Sequence, residues 1–143
     1  MVRLVDLPAG DFIGLDKYYK ELTEEVTEKT AIAFFELLQV KPTTEDEVLE
    51  VFKEFANQLL EIKETYIWIY NPPQVIPSSI TDQPKNLHLV KEFEEDYSGY
   101  IELIYLLCNG NMLKFGDVMQ MKTKDFLFWS EYLLRKRIIE VTR

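Results

Sequence analysis

A run of apolar residues at helical spacing is the feature that most constrains the fold of this chain. Between residues 48 and 69, apolar side chains recur at alternating intervals of four and three residues, the repeat of a helix with one apolar seam. The seam packs either against another helix of the same chain, as a helix hairpin, or against a second chain, as half of a coiled coil. It consists of Val48, Phe52, Phe55, Leu59, Ile62, Tyr66 and Ile69.

A capping pattern marks the start of this helix. Thr44 stands where a hydroxyl caps a helix, Glu47 follows it in a capping-box pattern, and Glu45 and Asp46 suit the positive end of the helix dipole. The end is less well defined, because residues 66–70 (YIWIY) are β-branched and aromatic and favour strands. The helix therefore either continues through this run or stops before it.

The residues before this helix predict an extended lead-in and one long helix. Two glycines and a proline indicate that residues 1–14 are extended. Asp16 then stands at the expected N-cap, and apolar spacing predicts a helix to about Gln39, ended before Pro42. This helix and the next one would form an acidic hairpin over residues 1–70.

A proline-rich segment follows at residues 71–86, with the sequence NPPQVIPSSITDQPKN. Its four prolines exclude a regular helix. The segment is either a connector packed over the surface or a docking arm in an extended conformation. In the second case its apolar anchors are Val75, Ile76 and Ile80.

Residues 87–143 are predicted to form a C-terminal helical part. A helical pattern, interrupted near Gly99, runs as far as Cys108. Asn109-Gly110-Asn111 then stops it, since glycine suits the left-handed cap position. After a short helical turn, Thr123 is expected to cap a last helix that ends near Val141.

The last helix carries apolar residues around nearly its whole circumference. A helix that is apolar on every side is buried on every side, and so small a domain cannot easily surround its own C-terminal helix. The helix therefore belongs to the core alone, or to the core and a protein interface together, where aromatic residues are favoured. The partner-binding candidates on it are Phe126, Phe128, Trp129, Tyr132 and Leu133.

Charge divides the chain into two parts. Residues 1–96 hold 20 acidic and 9 basic side chains, a net of −11, whereas residues 97–143 hold 5 and 7, a net of +2. The acidic part would repel a phosphate backbone, so nucleic-acid binding is not expected. The basic run 135–137 suits the C-terminal end of a helix dipole. The acidic faces are either solvated surfaces or serve to orient the protein in an assembly.

Few residues in the sequence suggest catalysis or metal binding. The chain has one histidine, His88, and one cysteine, Cys108, and the cysteine lies in an apolar run typical of a core. Neither a glycine-rich phosphate loop nor a calcium loop occurs. Four glutamates between residues 21 and 28 are predicted to share one face of the first helix, which is typical of a solvated surface. We therefore expect no enzyme activity, no metal and no cofactor.

The sequence also lacks the apolar stretches that direct a chain to a membrane. Its first residues do not form a signal peptide, and no window approaches the ~18 apolar residues of a membrane span. A cytosolic protein without membrane contact is therefore expected.

The C-terminal third shows a recognisable order of elements. Residues 100–137 (YIELIYLLCNGNMLKFGDVMQMKTKDFLFWSEYLLRKR) are predicted as a helix, a glycine turn, a short helix and a helix that opens with Met121, Thr123, Phe126 and Trp129 at fixed spacing. This pattern resembles the small helical proteins encoded near the tail genes of tailed bacteriophages, notably tail assembly chaperones. The resemblance implies self-association, no cofactor, and tail tube, tape-measure or baseplate proteins as partners. It also implies a location in the cytoplasm of the host cell or in the virion.

The sequence thus predicts a mainly α, single-domain helical bundle over residues 1–143, with the hairpin 1–70, the connector 71–86 and the helical part 87–143. The predicted function is that of a non-enzymatic, protein-binding component of phage tail assembly. It is either a chaperone that departs or a structural subunit that remains. The alternative is an acidic helical regulatory or inhibitor module that binds a basic protein surface.

Overall fold

Helices make up most of the chain that the structure, a computed structural model, describes, namely residues 1–72 and 99–142. Within these ranges no β-strand forms, and one hydrophobic core includes residues of both parts. The prediction of a mainly helical single domain is therefore confirmed. The helices are α1 (Ala9–Glu24), α2 (Glu28–Leu38), α3 (Glu45–Thr65), α4 (Ile67–Tyr70), α5 (Ile101–Cys108), α6 (Phe115–Gln120) and α7 (Thr123–Thr142), with 3₁₀ turns at Leu4–Asp6 and Met112–Lys114.

The predicted long first helix is wrong, because the chain leaves the helix after Glu24 and starts a new one at Glu28. Glu25 is extended, with φ −148° and ψ 123°. The hydroxyl oxygen of Thr27 then accepts a hydrogen bond of 3.3 Å from the Thr30 amide, which caps α2. The hairpin at the N-terminus is consequently formed by α1 and α2, which pack against each other, and α3 adds its aromatic side chains to this pair.

The predicted extended lead-in is also wrong, since α1 begins at Ala9 directly after Pro8. Proline at this position is compatible with a helix start because its φ is fixed near the helical value. The two glycines lie inside α1 and serve close packing. A Cβ at Gly14 would come within 3.0 Å of a Leu37 methyl group, and one at Gly10 within 3.3 Å of the Met119 carbonyl oxygen.

The apolar seam of α3 contributes to the core of the same chain. Phe55, Leu59 and Ile62 are buried, and the ring of Phe34 from α2 lies 5.4 Å from that of Phe52 and 5.0 Å from that of Phe55. The helix stops early, at Thr65, and α4 adds a separate turn after Tyr66.

The capping pattern of α3 is confirmed with one change of partner. The Thr44 hydroxyl oxygen accepts a hydrogen bond of 3.2 Å from the Glu47 amide. The Glu47 carboxylate accepts one of 2.8 Å from the amide of Thr43, the residue before the cap. This hydrogen bond from Thr43 lowers the pKa of Glu47.

The C-terminal part follows its predicted order from Gly99 onwards. Helix α5 ends at Cys108, and Asn109 and Gly110 both adopt left-handed conformations, with φ 51° and 78°. A 3₁₀ turn and α6 provide the expected short helical segment before α7. The proline-rich segment from Pro73 onwards and the predicted helical start at Leu87 lie outside the described residues.

The N-terminal segment joins α3 to α7. The Gln58 side chain on α3 accepts a hydrogen bond of 2.8 Å from the Leu4 amide and donates one of 3.3 Å to the Val2 carbonyl. Thr123 at the start of α7 is buried and does not cap its helix as predicted. Its hydroxyl instead donates a hydrogen bond of 2.8 Å to the Leu7 carbonyl.

Candidate protein-binding surface on the last helix

Helix α7 has one buried face and one exposed apolar face. Thr123, Phe126, Leu127 and Ser130 are fully buried, and their spacing places them on the side that packs on α5 and α4. About half a turn away lie large apolar side chains that remain about half exposed. These are Phe128 at 56%, Trp129 at 48%, Tyr132 at 52% and Ile139 at 46%.

The structure divides the predicted partner-binding residues of the last helix into two groups. Phe128, Trp129 and Tyr132 lie together on the exposed face, whereas Leu133 is half-buried beside them. Phe126 is fully buried, so its assignment as a partner contact is wrong. Its ring points into the core and packs 6.4 Å from that of Tyr100.

The three other predicted contacts, Val75, Ile76 and Ile80, lie outside the described residues.

The prediction from sequence omits one residue of the exposed face, namely Ile139. It lies eleven residues after Phe128, which is close to three whole turns of a helix. That spacing is a signal in the sequence from which Ile139 could be predicted.

The exposed aromatic rings are ordered by their contacts with one another. The ring of Trp129 lies 5.2 Å from that of Phe128, at 85° between the planes, and 6.0 Å from that of Tyr132, at 83°. Edge-to-face contacts of this kind are favourable for aromatic pairs. The three side chains therefore present a partly fixed surface, and little rotamer entropy remains to be lost when another surface covers them.

Charged residues border this surface and hold it against α4. The Arg135 guanidinium lies 5.1 Å from the centre of the Trp68 ring, and the Glu131 carboxylate accepts a hydrogen bond of 3.4 Å from the Trp68 amide. Burial, followed by the negative charge of Glu131, raises the pKa of the nearby Tyr66. A groove of about 570 Å³ lies along the helix and is lined by Phe128, Tyr132 and Ile139 together with the charged side chains of Glu131, Arg135, Lys136 and Glu140.

This combination of side chains is typical of a protein-binding surface. Aromatic side chains with arginine at their border are enriched in the energetically important parts of protein interfaces. The carboxylates and cations of the border can pair with charges on a partner and fix its orientation.

A buried polar cluster, which the sequence does not reveal, lies where α1, α4 and α5 meet. Asp16 lies within α1, so its predicted role as an N-cap is wrong. Its side chain is 2% exposed and pairs with Lys20 at 3.3 Å. The hydroxyls of Tyr70 and Tyr100 lie 2.6 Å apart. Burial raises the pKa of both tyrosines, and the negative charge of Asp16 raises the pKa of both further.

The tyrosine hydroxyls therefore stay neutral in the folded protein well above neutral pH. A pocket of about 290 Å³ adjoins the cluster and is lined by Lys20, Tyr70, Tyr100 and Glu102 among apolar side chains. The cluster joins the two described parts of the chain through hydrogen bonds in a site of low polarity, where such bonds are strong. Its evident contribution is to the fold.

The residues considered for chemistry are dispersed. The predicted glutamate stripe is wrong, because α1 ends at Glu24 and Glu28 begins α2, so its members do not share one helix. Cys108 is buried, as predicted, and His88 lies outside the described residues. Among residues 1–72 and 99–142, no group of three or more histidine, cysteine or acidic side chains is arranged to hold a metal ion.

Comparison with known proteins provides no relative for this chain. No protein-family model matches it, and neither a curated protein nor a solved structure matches it significantly. None of the helices in the described ranges combines the length and apolar character needed to cross a membrane.

Proposed function

We propose that this chain is a protein-binding component of an assembly, and that it binds through the exposed face of α7. The observation that carries the proposal is the cluster of Phe128, Trp129 and Tyr132, each about half exposed, on a helix whose opposite face is fixed in the core. A contiguous apolar surface of this kind on a small protein is often a site of interaction.

The assembly that best fits the sequence pattern is the tail of a tailed bacteriophage. The order of elements over residues 100–137 resembles that of tail assembly chaperones, and the helix named in that resemblance is the one that bears the aromatic surface. The partners are then tail tube, tape-measure or baseplate proteins. The chain acts either as a chaperone that departs or as a structural subunit that stays in the virion.

A second candidate function is favoured by the charge of α3. All seven of its carboxylates are exposed, against two lysines, and they lie away from the buried seam. Such a helix suits a regulatory or inhibitor module that covers a basic protein surface. Both functions involve protein partners, but they use different faces of the molecule and different forces.

Co-purification with defined partners tests the first proposal. The chain is co-expressed with the tail tube, tape-measure and baseplate proteins encoded in the same genome, and retention on the tagged chain is measured. The double variant Phe128→Ser/Tyr132→Ser is expected to retain at least about tenfold less partner than the wild type, because apolar contacts at an interface centre dominate affinity. Leu60→Ser is the matched control, since Leu60 on α3 is as exposed as Phe128, at 56% each.

Equal retention by the double variant and the wild type would overturn the proposal that α7 binds the partner. Salt distinguishes the two candidates. Binding through the aromatic face should change little between about 50 and 500 mM NaCl, whereas binding through the carboxylates of α3 should weaken strongly as the Debye length shortens.

A further inference from the structure

The exposed face of α7 has opposite charges near its two ends. Asp125 and Lys136 are both exposed, and eleven residues separate them. At about 100° per residue this brings them to nearly the same side of the helix, about three turns apart. Phe128, Trp129 and Tyr132 lie between them on the same or the adjoining side. Asp125 therefore lies at one end of the aromatic surface and Lys136 at the other, with Lys122 and Lys124 also exposed near the start and Glu140 near the end.

A surface with this order of charges is complementary to a copy of itself turned end to end. We propose that a second copy of this chain covers the face, with the two α7 helices antiparallel about a two-fold axis. The inference rests on the proposed function, of which it names one partner. Asp125 of each copy lies opposite Lys136 of the other, so the two-fold axis generates this ion pair twice.

The same register also matches the apolar residues. With Asp125 opposite Lys136, Trp129 faces Tyr132 of the second copy, and the two-fold axis repeats this contact. A parallel arrangement would bring like residues together, so that Asp125 met Asp125 and Lys136 met Lys136. Like charges placed opposite each other at an interface are repulsive, which favours the antiparallel arrangement.

The overall charge of the molecule also favours this face over others. Each copy carries a net charge of −9, and residues 1–96 alone carry −11, so two copies repel each other through most of their surfaces. Residues 97–143 carry a net of +2. A second copy therefore meets the least repulsion when it approaches through the C-terminal helices.

The size of the surface indicates a weak dimer. Four large side chains are each about half exposed, and an aromatic side chain buries about 150–250 Å², so they supply on the order of 400 Å² per copy. A standard interface buries about 800 Å² per partner, and the border residues provide only part of the difference. We expect a dissociation constant in the micromolar range.

Reversal of single charges tests the pairing by analytical ultracentrifugation. Asp125→Lys places two lysines opposite each other in both pairs, and Lys136→Asp places two aspartates opposite each other. Each variant alone is expected to dimerise at least about tenfold more weakly than the wild type, the effect of like charges in contact at an interface.

Combining the two reversals should restore the dimer. In an equimolar mixture of the single variants, each mixed dimer has both lysines of one copy opposite both aspartates of the other, so the mixture should recover the wild-type affinity. The double variant Asp125→Lys/Lys136→Asp should recover it as well, because it exchanges the two charges and keeps their attraction.

Two matched controls separate the specific pairs from net charge. Glu64→Lys and Lys53→Asp change the net charge by the same amounts as Asp125→Lys and Lys136→Asp, but at exposed positions on α3. Both control variants should dimerise like the wild type, apart from the change in long-range repulsion. Recovery in the mixture also shows that both single variants are folded, which matters because Asp125 lies in the first turn of α7.

A wild-type chain that stays monomeric at about 1 mM, a concentration well above the micromolar range expected for so small an interface, would overturn the antiparallel pairing. So would a mixture that dimerises no better than the separate variants. The proposed function fails separately. If the wild type is a monomer but Phe128→Ser/Tyr132→Ser still loses the tail proteins, the function stands and the dimer does not. If the charge-reversal variants dimerise as expected while Phe128→Ser/Tyr132→Ser still retains the tail proteins, the dimer stands and the proposed function does not.

Discussion

The hydroxyl of Thr123 donates a hydrogen bond of 2.8 Å to the backbone carbonyl of Leu7, 116 residues earlier in the chain. The Thr123 amide donates to the same oxygen, also at 2.8 Å. The first residue of α7 is thus hydrogen-bonded to the N-terminal segment of the chain, which Gln58 in turn connects to α3.

Thr123→Val should destabilise the protein by about 1 kcal/mol, because it removes one buried hydrogen bond while keeping the volume of the side chain. The Leu7 carbonyl retains the amide bond, so no buried group is left without a partner and the loss stays moderate. Thr123→Ser, which keeps the hydroxyl, is the control. Urea unfolding measures both variants, and a Thr123→Val protein as stable as the wild type would contradict the prediction.

The Tyr70–Tyr100 contact should appear as a coupling in a double-mutant cycle. Tyr70→Phe and Tyr100→Phe are each expected to cost about 1–2 kcal/mol, with Tyr100→Phe the more costly since its hydroxyl also interacts with Asp16. The double variant should cost less than the two together, by about 1 kcal/mol. Strict additivity in the free energies of unfolding would show that the two hydroxyls do not interact.

The same two tyrosines should make the protein sensitive to alkaline pH. Burial raises the pKa of each above its ordinary value, so above about pH 10 the unfolded chain releases protons that the folded chain keeps. Because the unfolded state then binds fewer protons than the folded state, the free energy of unfolding falls as pH rises. Each of the two tyrosines contributes a fall of about 1.4 kcal/mol per pH unit. This contribution is fully present below about pH 10, the ordinary pKa of tyrosine.

Urea unfolding between about pH 9 and 11.5, a range that brackets the ordinary pKa of tyrosine, measures this slope. Tyr100→Phe should reduce it by about one proton. Tyr105→Phe, which removes an exposed hydroxyl on the helix that follows Tyr100, serves as the control. A slope that is unchanged in Tyr100→Phe would exclude Tyr100 as a source of the alkaline sensitivity.

Phe34→Ala should be among the most destabilising single substitutions in the chain. Phe34 is fully buried and its ring contacts those of Tyr19, Phe35, Phe52 and Phe55 at 5.0–6.4 Å. Loss of the ring leaves a cavity between α1, α2 and α3 and should cost about 3–5 kcal/mol.

Phe128→Ala is the matched comparison for Phe34→Ala, because it removes the same ring from an exposed position on α7. It should change the free energy of unfolding by no more than about 0.5 kcal/mol while it weakens association. Thermal unfolding at low protein concentration compares the two variants. A loss of stability at Phe128 as large as that at Phe34 would mean that α7 is packed differently from the structure described.

The parts of the fold that could be predicted are those that depend on neighbours in the chain. The capping of α3 by Thr44, the end of α5 at Asn109 and Gly110, and the core-facing seam of α3 all follow from spacings of a few residues. The cap at Thr27 is also a local signal, but the prediction of one long helix passes over it. Apolar residues at helical spacing occur on both sides of this break, and they favour a continuous helix when the cap is ignored.

The candidate site could be predicted in part for the same reason. The aromatic residues of the last helix follow from composition, and three of them do form one exposed surface. Phe126 could not be distinguished from them, because an all-round apolar helix does not reveal which side meets the core. Asp16, Tyr70 and Tyr100 come from distant parts of the chain and form their cluster only after folding.

The sequence by itself determined that this chain is helical, where α3 starts and α5 ends, and which residues bear its aromatic and acidic character. These properties depend on hydrogen bonds and side-chain spacing within a helical turn. The tertiary structure alone decided which side of α7 is buried and why Gly10 and Gly14 occur within α1. Those outcomes depend on close packing between segments far apart in sequence, and short-range patterns do not encode which surfaces will meet.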